Sequence, residues 1–429
     1  MKRYTFNAIL QNEGWLDNVS IDVDESGEIS SISQNQESKG EVIQGYAIPG
    51  FQNAHSHAFQ YAMAGRGELH KKGASGDDFW SWRQQMYALA LSVSPDELRT
   101  IAFDLYSQMK ANGYTQVAEF HYLHHDKEGN RYGNEAEMGE ALIQAAQQAG
   151  IKITLVPIFY QKGGFGTEPT LNQRRFISAT VEDYQRLLSS SQEAAKKYDN
   201  ANVAIGIHSM RGVEPTDIVR VANELDQNVP FHIHVSEQLK EIEDALSYLN
   251  QRPVEWMLNN VELTERYHLV HATHLVGSEV DGVSGSGANV VLCPSTEGNL
   301  GDGLFPLKDF QNKGGNWSIG TDSHVGLNPM EELRIIDYGQ RLITHRRDTF
   351  GGYDFEDSGQ YALNQITTAG RKAMNNFESQ YFKIGADFDA CIIKSDAPTL
   401  KDCPKENRAS VIVYTTDQSM VLRTFVKGV

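Results

Sequence analysis

His55-Ser56-His57 ends the apolar run AIPGFQNAHSH, and His232-Ile233-His234 lies within a second run, FHIHV. Residues i and i+2 of an extended chain project to the same side, so each pair can present two imidazoles to one ion. Asp322 ends a third run, WSIGTD. Three imidazoles and one carboxylate are ligands that suit zinc, and His with Asp also admits iron or manganese. The expectation is one Zn2+ per chain, bound by His55, His57, His234 and Asp322. His234 is preferred to His232 because it stands nearer the C-terminal end of its run, with Glu237 three residues on in His-Val-Ser-Glu. His232 is read as a buried structural residue one layer deeper.

Such ligands must be brought together by a scaffold. Short β-branched runs at 47–55, 115–121, 153–160, 203–208, 231–235, 268–271, 289–293 and 317–322 alternate with helix-like stretches at 95–112, 134–149, 181–198 and 215–227. That alternation signals βα units and a parallel sheet. Eight runs fit a (β/α)8 TIM-type barrel better than an open sheet. In such barrels the chemistry sits at the C-terminal ends of the strands. Here His55 and His57, His121, His208, His234, His271 and Asp322 end their runs. A lone histidine at a strand end is usually a hydrogen-bonded structural residue. His268, His70, His124, His125, His324 and His345 are read as structural or solvated, and His274 of VHATH falls into a loop. Both ends of the chain read as short alternating strands, SVIVYTT among them. They predict a small β-sandwich from 1–47 plus 378–429 around a barrel over 48–377, with a helical segment at 330–376 leading back.

At 429 residues the chain fits one barrel plus a smaller unit. It has no run of eighteen apolar residues, and its opening MKRYTFNAILQNEGW has no apolar stretch of the signal-peptide kind. Three widely spaced cysteines fit a reducing compartment, so the expected location is the cytoplasm. A net charge of −18 argues against nucleic acid or an anionic membrane as partner. A small anionic substrate would need a local cationic pocket, for which Arg83 and Arg211 are the candidates. Arginine's planar fork matches a carboxylate bidentately and stays charged.

The segments AIPGFQNAHSHAFQ, FHIHVSEQ, LVHATH and GTDSH, in this order, resemble the amidohydrolase superfamily in its mononuclear deaminase branch. The run IGIHSMR carries no lysine where two-metal relatives often hold a carbamylated one. HSHAFQYAMAGRGE, FWSWRQQMY, HSMRGV and LCPSTEGNLGDGLFPL resemble, more narrowly, the deiminases of histidine degradation. That resemblance implies hydrolysis of N-formimidoyl-L-glutamate to N-formyl-L-glutamate and ammonia, by a homodimer. It implies a catalytic group of Glu237, His271 and Asp322 and a substrate pocket of Gln60, Arg83, Tyr122, His208 and Arg211. A deaminase for formimidoyl-aspartate or an aminated heterocycle is the alternative. A barrel that only binds metal is disfavoured, because it would need neither Glu237 nor His271.

Overall fold

The structure, a computed structural model, describes residues 1–35, 40–68, 79–351 and 356–429. His70 lies outside the described residues. Four strands precede the barrel: β1 (Lys2–Gln11), β2 (Gly14–Val23), β3 (Ile29–Gln34) and β4 (Glu41–Pro49). The barrel itself is built from β5 (Phe51–Ser56), β6 (Tyr114–His121), β7 (Lys152–Phe159), a short β8 (Ala201–Val203) at its edge, β9 (Ile205–Ser209), β10 (Phe231–Val235), β11 (Tyr267–His271), β12 (Asn289–Leu292) and β13 (Asn316–Ile319). Each of β5, β6, β9, β10, β11 and β12 is buried along its whole length, the signature of strands covered on both faces. Parallel pairing runs unbroken from β5 to β13, with β8 lying off this path against β7.

The ring is closed at its C-terminal rim. The Thr321 and Asp322 N–H groups donate to the His55 carbonyl at 3.0 Å, and the His57 N–H donates to the Asp322 carbonyl at 3.1 Å. Gly320 makes this approach possible: a Cβ there would stand 2.7 Å from the His55 Cβ and 2.9 Å from its backbone nitrogen. Helices fill the connections as the sequence pattern predicts. Pro95–Ala111, for example, starts on a Ser94 cap whose partner Glu97 reaches back to the Ser94 N–H.

After the barrel and the helices Pro329–Thr344 and Ser358–Ala373, β14 (Ala390–Lys394) and β15 (Val421–Phe425) return to the N-terminal strands. The termini share one six-stranded mixed sheet, ordered β15-β14-β4-β1-β2-β3. Tyr4, Phe6, Phe388 and Phe425 pack together beneath it, with ring centroids 4.8–6.5 Å apart. Lys152 of β7 ties this sheet to the barrel through Asp387, at 2.6 Å, and Asp389. One predicted strand is a helix. SVIVYTT falls in Arg408–Thr415, where Ala409, Ile412 and Val413 are buried at helical spacing. β-Branched residues satisfy either period, and packing on the start of the Ser358–Ala373 helix decides. A Cβ on Gly359 would lie 2.4 Å from the Ala409 backbone.

Candidate active site

Alternation along the strands sorts the histidines. On β5, His55 points inward and Ser56 outward to Glu119, which accepts from the Ser56 hydroxyl and the Ala58 N–H, each at 2.6 Å. On β6, Phe120 packs against His55, His57 and His234, whereas His121 lies beside His124 and the helix glycine Gly139. On β10 a register slip between Ile233 and His234 accompanies a bond from the His234 Nδ1–H to the His208 carbonyl at 2.9 Å. The His57 Nδ1–H likewise donates to the Phe120 carbonyl at 2.8 Å. Both bonds put the ring proton on Nδ1 and leave the Nε2 lone pair pointing inward.

These lone pairs converge. His55 Nε2 lies 3.1 Å from Nε2 of both His57 and His234. Asp322 Oδ1 is 3.5 Å from His55 Nε2 and 3.3 Å from His57 Nε2. Burial drives the His55 pKa down to about 3 and lowers those of His57 and His234, so all three rings are neutral. A single proton on His55 Nε2 could satisfy only one of its neighbours; a cation satisfies all four donors at once. Four-coordinate zinc, with ligand bonds of ~2.0–2.2 Å, separates its donors by roughly 3.3–3.5 Å. The donor set and its spacing fit a divalent metal.

Asp322 is buried, which alone would raise its pKa, yet hydrogen bonding to His55 and the charge of His271 hold it below the usual carboxylate range. His271 Nε2 faces Asp322 Oδ2 and Glu237 Oε1, both at 3.8 Å. Burial opposes its charge, but Glu237, Glu297 and Asp322 outweigh that and raise its pKa to about 10. Ser236, His271, Ala272, Asp322 and His324 all have φ between 49° and 68°. Non-glycine residues held there cost about 1–3 kcal/mol each and cluster at functional sites. Here they turn the chain just beyond β10, β11 and β13.

The cluster opens into a cleft of about 430 Å³. Gln60, Trp82, Arg83, Tyr122, His208 and Arg211 line it together with His57, His234, Glu237, His271 and Asp322. Gln60 donates to the Tyr122 hydroxyl at 3.0 Å and Arg83 to the Tyr160 hydroxyl at 3.2 Å. The Arg211 guanidinium lies 3.7 Å from Glu237 and 3.8 Å from Glu241. Burial first, then Arg211 and Arg83, holds His208 neutral. Ten of the eleven residues singled out from sequence as ligands, catalytic groups or substrate contacts therefore line one cleft, and the eleventh, His55, belongs to the cluster at its base.

The other histidines lie elsewhere. His268, His124 and His125 bond to Asn289, the Ile158 carbonyl and the Ile177 carbonyl. His324 bonds to Thr321, and His345 caps a helix end at the surface. The sequence pattern did not single out Glu119, Glu241, Glu297 or Asp302. Asp302 is buried, accepts from Gln238, and is pushed by burial and by Glu237 to a pKa of about 9. Glu297 and Asp302 stand in PSTEGNLGDG, a polar, glycine-rich stretch after β12, which is the signal available for them.

The profile of the amidohydrolase family matches residues 46–429. Formimidoylglutamate deiminase of Pseudomonas aeruginosa is 41% identical over 84% of this chain and 80% of its own length. A crystal structure of an amidohydrolase from Brucella melitensis, 36% identical, covers 100% of this chain and 94% of its own with a TM-score of 0.93. An adenosine deaminase structure from Xanthomonas campestris, 17% identical, shares the fold with a TM-score of 0.81 over 99% of this chain and 91% of its own. The closed barrel, the metal-fitting cluster at its rim and these similarities make the chain a member of the amidohydrolase family.

Proposed function

We propose that the protein hydrolyses N-formimidoyl-L-glutamate to N-formyl-L-glutamate and ammonia, with one Zn2+ held by His55, His57, His234 and Asp322. The observation that carries this reading is a single cleft lined both by a dication-fitting cluster and by Arg83 and Arg211. Glutamate offers two carboxylates to such cations, and a protein of net charge −18 needs them to attract it. The similarity to the Pseudomonas deiminase supports the same substrate.

Held by these four residues, zinc would supply the Lewis acidity that makes water a nucleophile near neutral pH. Asp322 accepts the proton of the attacking water. Glu237 moves a proton to the departing nitrogen as general acid. His271 donates from Nε2 to the oxygen that adds to the amidine carbon and so stabilises the tetrahedral state. The balance is one new C–O bond, one broken C–N bond and one ammonia released. Tyr122, Gln60 and neutral His208 supply hydrogen bonds around the substrate, while the arginines hold its carboxylates. In this reading the division into 1–47 plus 378–429 and 48–377 separates a supporting sheet from the catalytic barrel. Three free cysteines support a cytoplasmic setting, and a homodimer completes the proposal.

Ammonia release is to be measured across formimidoyl-glutamate, formimidoyl-aspartate and aminated purines with zinc-loaded protein. Formimidoyl-glutamate is expected to give the highest kcat/KM. A purine turned over faster would replace this substrate assignment.

A further inference from the structure

Behind His271, on the side away from the cluster, stands a carboxylate that the mechanism above leaves unused. Glu297 Oε1 lies 3.3 Å from His271 Nδ1 and accepts the Cys293 N–H at 2.8 Å. Glu297 is 5% exposed, and His271 is 1% exposed. We propose that Glu297 is a positioning residue: it accepts the Nδ1–H of His271 and orients the ring so that the Nε2–H, the donor assigned above, faces the reacting side. The proposal rests on the role given to His271 above.

The geometry leaves little freedom. Nε2 faces Glu237 and Asp322 at 3.8 Å each, so any ring flip or tilt exchanges these contacts for carbon. A ring with one face of its chemistry in the cleft needs its other nitrogen tied down, the logic by which a buried carboxylate orients a working histidine. Glu297 is itself fixed. Its Oε1 is tied to the Cys293 N–H at the start of the Pro294–Leu300 helix, and Cys293 immediately follows β12, the strand next to β11. The carboxylate is therefore anchored to the neighbouring barrel strand and not to a free loop.

The alternative is that Glu297 merely stabilises the Cys293 turn. The two roles separate in a double-mutant cycle on zinc-loaded protein. One oxygen, Oε1, serves both the Cys293 N–H and His271 Nδ1, so Glu297→Gln keeps an acceptor for each and removes the charge that strengthens the bond to His271. It is expected to lower kcat about tenfold to a hundredfold, the usual cost of losing the partner of a working histidine, with KM and zinc content unchanged. In a His271→Asn background the same change is expected to cost almost nothing, since the group it acts through is gone. Equal losses in both backgrounds would overturn the proposal. So would a loss confined to KM.

A second measurement does not depend on the substrate. In protein labelled with 15N-histidine, the His271 resonances, assigned by their disappearance in His271→Asn, are expected to show a protonated Nδ1 in the wild type and to shift in Glu297→Gln. An unshifted His271 signal overturns the proposal whatever the enzyme hydrolyses. Failure to hydrolyse formimidoyl-glutamate at all would instead fall on the substrate assignment alone.

Discussion

The barrel encloses two groups of buried histidines, and they are made of the same parts. At the C-terminal rim stand His55, His57 and His234; one layer deeper on β10 and β11 stand His232 and His268, with rings 4.8 Å apart. All five are at most 6% exposed, and burial lowers the pKa of each. They differ in where the lone pairs go. At the rim two Nδ1 protons are spent on carbonyls, the Nε2 atoms converge to 3.1 Å, and a carboxylate joins them. Deeper in, His232 Nε2 donates to the Ala373 carbonyl at 2.9 Å and His268 Nδ1 accepts from Asn289 at 3.0 Å. No carboxylate approaches either ring within ion-pair distance among the described residues. Burial makes a histidine neutral; convergence of its lone pair with those of other donors is what fits it to a metal.

The sharpest way to break this contrast is to remove one ring from each group. His57→Asn is expected to lose the metal and at least about a thousandfold in turnover, since a catalytic metal supplies several kcal/mol of charge stabilisation at 1.36 kcal/mol per decade. His268→Asn is expected to keep one zinc per chain. Elemental analysis of both variants decides the matter. Two zinc ions per wild-type chain, or a zinc lost with His268, would erase the distinction.

Next comes Glu237, the carboxylate proposed to carry protons beside the rim. Glu237→Gln is expected to retain zinc and lose ~10²–10⁴-fold in kcat, the range for a general acid–base group. Near-normal turnover in the zinc-loaded variant would move the role to another carboxylate. Asp302 and Glu241 are the neighbours to try.

Why the rim could be read in the sequence, and its support could not, follows from the same geometry. His55, His57 and His234 sit on strands, where a period of two and a position at the end of the run state which way a side chain faces. Asp322 is three residues past the end of β13, but its run still points to the rim. Glu119 also lies on a strand, yet it faces outward, where an acidic residue reads as solvated. Glu241, Glu297 and Asp302 belong to helix starts and a glycine-rich turn, whose directions are set only once the barrel closes. The deeper pair was separable from the rim by position alone. The helix at Arg408–Thr415 was not separable from a strand, because β-branched residues fit both periods and its partner, Gly359, is distant in sequence.

The arginines of the cleft offer a smaller effect that touches choice of substrate more than chemistry. Losing a charge-assisted hydrogen bond to a carboxylate costs roughly 1.5–3 kcal/mol. Arg211→Met is therefore expected to lower kcat/KM for formimidoyl-glutamate by about ten- to a hundredfold while sparing a formimidoyl compound without carboxylates. Arg211 also neighbours Glu237 and Glu241, so equal losses on both substrates would show that it serves the proton carrier instead.

The smallest expected effect belongs to the deeper histidines and is read in stability. Burial lowers the His232 pKa to about 4, against which its bond to the Ala373 carbonyl works only partly. An unfolded imidazole takes up its proton near the ordinary ~6.5. Between about 6.5 and 4 the unfolded chain thus binds more protons at this residue than the folded one, so stability falls as the pH drops through that window. At pH 5.5 the loss from this one group is about 1.4 kcal/mol relative to pH 8, from one pH unit at 1.36 kcal/mol. His232→Asn is expected to lose some stability at pH 8, where a buried hydrogen bond is weakened, and to show a shallower decline towards pH 5.5. Urea unfolding of both proteins at several pH values, zinc-loaded and after chelation, measures the slopes. The difference between the two slopes is expected to be the same with and without zinc, because His232 holds none. A slope difference that appears only in the zinc-loaded protein would tie His232 to the rim cluster and end the separation of the two groups.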